Sequence, residues 1–225
     1  MTKVTVFFCN GATMEEKIIL IRHGQSIGNL NRVYLGHTNL GLSELGKEQA
    51  EIAARYFKNE KFSAIYSSDL DRAYSTAIPH AEYHSLPIIR SEELREIYMG
   101  LWENVPIDDI RAEWKDKFDI EWRLKFGEST PPGGEKVTDA ARRIYKKLIE
   151  IAKAHDGKIL VTTHAALIRA LWGFINRLEP CDWGETYFFP TNASASYVGF
   201  DGERLIPIRY SFDDYLTAHE ERTEA

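Results

Sequence analysis

The stretch IILIRHG, residues 18–24, contains the first buried strand of the chain and its first candidate functional residues. Four large aliphatic residues in succession predict a strand that is covered on both faces, as the strands of parallel sheets are. The run ends on the cation Arg22 and the imidazole of His23. Either the strand has reached the protein surface at that point, or the two side chains lie there to bind an anion.

A second apolar run ends in the same way, because His164 directly follows the strand predicted at residues 158–163 (KILVTT). Ser43 is a typical N-cap for the helix predicted over residues 44–59. Further helices are predicted at residues 69–83 (broken or kinked near Pro79), 137–155 and 165–178, and further strands at residues 62–67, 86–89, 195–200 and 204–210. Strands that alternate with helices predict an α/β fold with a mainly parallel sheet.

The composition limits the classes of partner. The chain of 225 residues is long enough for one domain with a full core, and its formal net charge is −6. This acidic balance argues against nucleic acid or a membrane as a partner, because both bind basic faces. No stretch approaches the roughly 20 apolar residues of a membrane-spanning helix. A small anionic substrate needs only a local cluster of cations.

The two cysteines, Cys9 and Cys181, are far apart in the sequence. They permit either one disulfide or two reduced thiols. Two reduced thiols are typical of a cytoplasmic protein, so a cytoplasmic location is predicted.

Three segments depart from the alternating pattern. Residues 1–13 form an N-terminal extension that is either dispensable, with Met14 as the functional start, or an extra edge strand. Residues 103–132 predict a helical insertion that is either a lid over a site or an excursion packed on the body, and its tryptophans, if exposed, predict a homodimer contact. The domain is predicted over residues 14–212, and the acidic tail, residues 213–225, is expected to fray.

The carboxyl ends of parallel strands meet at one edge of a sheet, where ligands bind. His23 and His164 are therefore predicted to meet there. Arg72 follows the second strand in SSDLDR, and Glu96 follows the third in LREIYMGLWE; alone, Arg72 would be interpreted as a solvated helix residue. Guanidinium groups bind phosphoryl groups, and an imidazole can attack phosphorus while a carboxylic acid protonates the leaving alkoxide.

The motifs LIRHGQS, SSDLDRAYSTA, LREIYMGLWE, PPGGE and VTTHAALIRAL, in this order, resemble the histidine phosphatase superfamily, phosphoglycerate mutase-like branch (branch 1). The resemblance covers about residues 14–210. It implies a three-layer αβα sandwich with a helical lid insertion and catalysis through a phosphohistidine, without a metal or other cofactor. The residues that it implies for the site are His23 as nucleophile, Glu96 as proton donor, His164, Arg22 and Arg72 around the phosphate, Asn29 as a further phosphate contact, and Gly36, Ala165 and Glu135 on the substrate-binding side.

Two related activities are distinguished by residues near the site. Mutases of this family usually carry a threonine where this chain has Leu35, and a paired arginine that residues 103–132 lack. A phosphomonoester hydrolase acting on a small phosphorylated metabolite is therefore predicted, with a cofactor-dependent phosphoglycerate mutase or a non-catalytic phospholigand-binding protein as the alternatives. The complete set of the two histidines, two arginines and one glutamate counts against a non-catalytic protein.

A zinc hydrolase is a further alternative. His80 and His84 are four residues apart in HAEYH, which is the spacing of two ligands on one helix face. No motif supplies a third ligand and a base, so a solvated helix face is predicted instead.

Overall fold

The structure, a computed structural model, describes residues 15–217. The expectations for residues 1–13, the start at Met14 and Cys9 lie outside the described residues. None of the helices within residues 15–217 is long and apolar enough to cross a membrane.

The strands within this range are β1 (Glu16–Arg22), β2 (Phe62–Ser68), β3 (Ile88–Ser91), β4 (Lys158–Thr163), β5 (Ala195–Phe200) and β6 (Leu205–Phe212). They form one sheet in the order β3-β2-β4-β1-β5-β6. β3, β2, β4 and β1 pair in parallel, whereas β5 and β6 form an antiparallel hairpin that joins the sheet through β1. The prediction of a mainly parallel sheet is confirmed.

The α-helices of the same range are α1 (Ile27–Leu30), α2 (Glu44–Phe57), α3 (Asp71–His84), α4 (Ile107–Glu113), α5 (Val137–Ala154), α6 (Ala165–Ile175) and α7 (Trp183–Thr186). Ser43 caps α2 as predicted, because its Oγ accepts the backbone N–H of Gly46 at 3.1 Å. Of the break or kink predicted near Pro79, the break is wrong, since α3 continues through this residue. Proline removes one backbone hydrogen bond, and the packing of α3 on α2 holds the helix together.

The side chains of β1 explain the three layers. Ile18 and Leu20 point into a core cluster that contains the buried faces of α5 and α6. Ile19 and Ile21 point into a second cluster, on the opposite face of the sheet, that contains residues of α2 and α3. The αβα sandwich is therefore confirmed, and the aliphatic run is buried on both sides.

The insertion at residues 103–132 consists of α4, a π-helical turn (Lys117–Trp122) and a 3-10 turn (Phe126–Glu128). Phe118, Trp122 and Phe126 are buried in the same cluster as α5. The insertion is thus helical and packed on the body of the domain. The two tryptophans of the insertion do not form an exposed surface, because Trp122 is fully buried and Trp114 is half-buried.

The described part of the C-terminal tail, residues 213–217, also packs on the domain. Tyr215 is buried, and its hydroxyl donates to the carbonyl of Ala193. These residues are therefore not frayed in the structure, because the side chain of Tyr215 packs in the second cluster.

Candidate active site

The register of the sheet brings the two candidate histidines together. β1 and β4 pair in parallel with Arg22 opposite Thr163, so His23 and His164 follow at the same level on neighbouring strands. Their ring centroids lie 5.2 Å apart. The prediction that both imidazoles meet at one rim of the sheet is confirmed.

A cavity of about 240 Å³ opens at this rim. Of the nine residues predicted for the site, His164 and Glu135 do not line it. The seven predicted residues that line the cavity are Arg22, His23, Asn29, Gly36, Arg72, Glu96 and Ala165.

The tautomer of His23 follows from its hydrogen bond. Its Nδ1 lies 2.7 Å from the carbonyl oxygen of Gly24, which can only accept, so Nδ1 carries the proton. The lone pair of Nε2 is then free to react. Burial and the neighbouring charges of Arg72 and Arg22 hold the pKa of His23 well below 6.5, so the ring is neutral at neutral pH. A neutral imidazole with a free Nε2 has the form that a nucleophile needs.

His164 lies behind His23, fully buried at the start of α6. Its Nε2 lies 2.9 Å from the hydroxyl oxygen of Ser68, the last residue of β2. Burial and the nearby charge of Arg72 hold the pKa of His164 well below 6.5. Its Nδ1 has no hydrogen-bond partner among residues 15–217. The ring therefore keeps one nitrogen for a contact that those residues do not supply.

Arg72 is not the solvated helix residue that its position alone would suggest. It follows the first residue of α3 and is only 2% exposed. Its guanidinium donates to the carbonyls of Gly36 at 2.7 Å and Thr38 at 2.9 Å, and burial lowers its pKa to about 10. Carbonyl oxygens orient this cation but do not neutralise it.

Arg22 is held in a similar way. Its Nη1 donates to the carbonyl of Pro190, and its Nη2 lies 3.5 Å from Oδ1 of Asn29. Burial lowers its pKa to about 10. Among residues 15–217, neither Arg22 nor Arg72 forms an ion pair with a carboxylate. Arg72 is fully buried and Arg22 is half-buried, and the one carboxylate among the described residues that lines the cavity with them, Glu96, is hydrogen-bonded to backbone N–H groups instead. Two such cations favour an anion as ligand.

Glu96 faces the same cavity and is fixed by the N-terminus of α6. Its two oxygens accept the backbone N–H groups of Ala166 at 3.1 Å and Leu167 at 2.9 Å, and also that of Ile97 at 2.9 Å. A carboxylate at the positive end of a helix is a favourable arrangement. The helix that carries His164 at its start therefore also positions Glu96.

The loop that binds Arg72 is itself supported by Glu103. One oxygen of Glu103 accepts the backbone N–H of His37 at 2.6 Å, and the other accepts the hydroxyl of Thr38 at 3.1 Å. Gly36 has a φ of +51°, and a Cβ there would lie 2.1 Å from Glu103. Glycine is therefore required at residue 36 both by its backbone conformation and by this contact.

Glu135 lies outside the cavity, in contrast to its predicted place on the substrate-binding side. It pairs with Arg143, which is on α5, through contacts of 2.9 Å and 2.8 Å. Arg143 also donates to the backbone carbonyls of Glu93 and Arg95. The physical reason for the correction is this ion pair, which makes Glu135 a support for the segment before Glu96.

The sequence interpretation missed the apolar part of the cavity. Tyr34, Trp122 and Phe189 line it, and Trp122 contacts each of the other two; we call these three side chains the aromatic wall. Trp122 comes from the insertion, whose aromatic residues were the one sequence signal for it. Phe189 comes from the segment between α7 and β5, where no sequence pattern indicated a cavity residue.

Arg169 was missed as well, although it lies in the VTTHAALIRAL motif. It is buried on α6 between the rings of Phe126 and Phe189, with its guanidinium carbon 4.4 Å and 4.3 Å from their centroids. It also donates to the carbonyls of Tyr187 and Gly184. Arg169 therefore ties the aromatic wall to α6.

The HAEYH segment is corrected by the structure. His80 is fully buried and packs against Phe57, so it does not lie on a solvated face. His84 packs on Phe62. Within residues 15–217, no three His, Cys, Asp or Glu side chains form a group that could hold a metal ion.

Known proteins resemble this chain over most of its length. The family model described as histidine phosphatase superfamily (branch 1) matches residues 18–212. Phosphoserine phosphatase 1 of Hydrogenobacter thermophilus is 31% identical over 201 residues, which cover 89% of this chain and 94% of that protein. A 2,3-bisphosphoglycerate-dependent phosphoglycerate mutase of Methylorubrum populi is 34% identical over 166 residues, covering 70% and 78%. The structure of a mycobacterial glucosyl-3-phosphoglycerate phosphatase matches with a TM-score of 0.82 at 27% identity, covering 88% of this chain and 100% of that one.

Proposed function

Since the chain belongs to branch 1 of the histidine phosphatase superfamily, we propose that it hydrolyses a small phosphomonoester through a phosphohistidine on His23, without a metal. The observation that carries the proposal is the free Nε2 of a neutral His23 in a cavity lined by two arginines that form no ion pair within residues 15–217. Phosphatases among its relatives support hydrolysis as the outcome.

The proposed reaction has two steps. Nε2 of His23 attacks phosphorus while Arg22 and Arg72 hold the phosphoryl oxygens and stabilise the charge of the transition state. Glu96, in the acid form, gives a proton to the leaving alkoxide. The resulting carboxylate then takes a proton from water, which attacks the phosphohistidine and releases phosphate and free His23.

Several contacts distinguish hydrolysis from the mutase reaction. A mutase must hold a bisphosphate, which requires further cations beyond the first phosphate. Within residues 15–217, the arginines and lysines that line the cavity are Arg22 and Arg72 alone, and Leu35 lies where family mutases usually carry a threonine. The cavity therefore favours transfer to water.

The test is to trap the intermediate. The wild-type protein, with EDTA present, is mixed with a phosphate-labelled phosphomonoester and quenched in base, in which phosphohistidine is stable. We expect labelled His23, phosphate release that EDTA does not reduce, and no label in His23→Ala. Isomerisation of 3-phosphoglycerate with 2,3-bisphosphoglycerate, without phosphate release, would show a mutase. Label on another residue would contradict the role of His23.

A further inference from the structure

The cavity has two chemically different parts. The side chains at its lining that the proposed phosphoryl transfer uses are Arg22, His23, Arg72 and Glu96. The rest is apolar apart from Ser26, Asn29 and one tyrosine hydroxyl. The apolar lining consists of the aromatic wall together with Val33, Leu35 and Met99. The leaving group must therefore lie against this apolar part.

A charged leaving group has no partner there. No lysine and no third arginine of residues 15–217 lines the cavity, so a carboxylate on the leaving group would find no cation beyond those that hold the phosphate. Glu96, which carries a proton in the first proposed step, offers it no compensating positive charge. An ammonium group would gain cation–π attraction from the aromatic rings, but the carboxylate that accompanies it in an amino acid would still lack a cation. Moving an unpaired charge out of water into such a surface is costly.

The aromatic wall offers one hydrogen-bond donor. The hydroxyl of Tyr34 accepts from Nε1 of Trp122 at 3.0 Å, which leaves its own proton free among the described residues. Burial raises the pKa of Tyr34 to about 12, so the hydroxyl stays a donor at neutral pH. A neutral donor of this kind suits a hydroxyl or ether oxygen on the leaving group, and it does not compensate a full charge.

The aromatic wall is a packed surface. Trp122 is fully buried and packs against Phe189, with centroids 6.3 Å apart and an interplanar angle of 30°, and against Tyr34, edge-on at 6.0 Å. The half-buried rings of Tyr34 and Phe189 therefore present the wall to the cavity. At about 240 Å³ the cavity is smaller than the roughly 300–1,000 Å³ of drug-sized sites. We propose that the substrate class is a phosphate ester of an uncharged, apolar alcohol, with a single ring or a short alkyl chain, held by the aromatic wall. This inference rests on the proposed function and concerns the same site.

The experiment compares three esters of alkyl alcohols: benzyl phosphate, O-phosphoserine and 3-phosphoglycerate. All three release an alkoxide, so their rates report mainly how the rest of the leaving group is bound. We expect the kcat/KM of benzyl phosphate to exceed that of each charged ester by about tenfold or more, the scale on which apolar pockets discriminate. Equal or higher kcat/KM for either charged ester would overturn the inference.

Variants of the wall separate binding from folding. Phe189→Leu should lower the kcat/KM of benzyl phosphate by about three- to tenfold, mostly through KM, and change that of O-phosphoserine less than about twofold. Phe174→Leu is the matched control, because Phe174 is also half-buried against the same core but does not line the cavity. It should leave the ratio of the two esters unchanged. An equal loss on both esters in Phe189→Leu would contradict a specificity role for the wall.

A positive charge introduced beside the aromatic wall should favour the charged esters instead. Val33 is half-buried and lines the cavity, so Val33→Lys places a cation against the leaving group. We expect the kcat/KM ratio of O-phosphoserine to benzyl phosphate to rise by about tenfold. An unchanged ratio in a folded variant would count against the inference.

The two proposals fail in different ways. If none of the three esters is turned over in a manner that depends on His23, the proposed function is wrong and this inference with it. If the charged esters are turned over with a phosphohistidine on His23 while benzyl phosphate is not, the proposed function stands and this inference alone is overturned.

Discussion

The charged part of the cavity and the aromatic wall are positioned by different forces. Arg22, Arg72 and His23 are each fixed by hydrogen bonds to backbone carbonyls. The wall is positioned by packing, with Arg169 inserted between Phe126 and Phe189. A hydrogen-bonded group tolerates no replacement, whereas a packed surface tolerates moderate changes of volume.

The difference separates the chemistry from the choice of substrate. Substitutions in the charged part are expected to lower the rate for every ester, because they remove groups that act on the phosphoryl group itself. Substitutions around the wall are expected to change the ratio between esters, because they alter only the contacts of the leaving group. Each prediction below tests one side of this comparison.

The largest effect is expected for His23→Ala, which removes the proposed nucleophile. We expect kcat to fall by about 10⁴-fold or more for all esters while the fold survives. Phosphate release and circular dichroism measure the two properties. His80→Leu is the matched control for a buried histidine outside the cavity, and it should keep the wild-type rate. A wild-type rate in His23→Ala would exclude His23 as the nucleophile.

Arg72→Met should lower kcat/KM by about 10²–10³-fold for every ester, since it removes a donor from the transition state. The substitution should also abolish the increase in stability that inorganic phosphate gives the wild type. Inorganic phosphate at about 100 times its Kd is expected to stabilise the wild type by about 2.7 kcal/mol. Thermal unfolding with and without phosphate measures this shift. Arg55→Met, on the exposed side of α2, is the control and should keep the shift that phosphate produces in the wild type. A shift of the same size in Arg72→Met would contradict phosphate binding by Arg72.

Glu96→Gln should slow esters of alkyl alcohols by about 10²-fold and esters of nitrophenol only a few-fold, because a good leaving group needs no proton. Steady-state kcat with benzyl phosphate and with nitrophenyl phosphate gives the comparison. Equal losses on both would assign Glu96 a purely structural role at the N-terminus of α6.

Arg169→Met should act mainly through the wall. It removes the donor to the carbonyls of Gly184 and Tyr187 and the cation between two rings. We expect KM for benzyl phosphate to rise by about tenfold and kcat to change far less. The KM of Arg169→Lys, which keeps the charge but not the planar group, should lie between those of the wild type and Arg169→Met. A loss confined to kcat would place Arg169 with the charged part instead.

His80 provides a pH test that leaves both parts of the cavity unchanged. Burial, with a smaller effect of His84, lowers its pKa to about 3, whereas the pKa in the unfolded chain is near 6.5. Below pH 6.5 the unfolded chain binds a proton that the folded chain does not, so stability falls as the pH drops from 6.5 toward 3. His80→Leu should remove about 1.4 kcal/mol of this loss per pH unit.

Urea unfolding of the wild type and His80→Leu at about pH 7, 5.5 and 4.5 measures this difference. The free energies of unfolding should differ by a constant amount above pH 6.5 and diverge in favour of the variant below it. A constant difference at all three values would show that His80 is not kept neutral in the folded protein.

The charged part was predictable because each of its residues stands at the end of a strand. The aliphatic run before Arg22 and the run before His164 mark two buried parallel strands, and the rule for strand ends then places the side chains together. Arg72 and Glu96 lie a few residues beyond β2 and β3, and the resemblance to the family was needed to distinguish Arg72 from a solvated helix residue. Chemistry that depends on strand ends can be located from short local patterns.

The aromatic wall could not be located in this way. Trp122 and Phe189 are separated by more than sixty residues and meet through irregular segments, whose path depends on tertiary packing. Aromatic residues in an insertion are compatible with burial and with exposure until the core that receives them is known. The burial of Trp122 could therefore not be predicted from the sequence. Glu135 and His80 were misplaced for the same reason: their partners, Arg143 and Phe57, are specified by packing rather than by a motif.

The central position of β1 has a consequence for local opening of the protein. β1 lies between β4 and β5, with strands on both sides and helices on both faces, so its amide hydrogens are expected to exchange with solvent only when the sheet as a whole separates. The residue proposed to receive the phosphoryl group follows directly on that strand. Exchange near His23 should therefore report global unfolding, whereas exchange around Phe189, which lies between elements, reports smaller openings. Partial fluctuations could then admit different alcohols without disturbing the atom that attacks phosphorus.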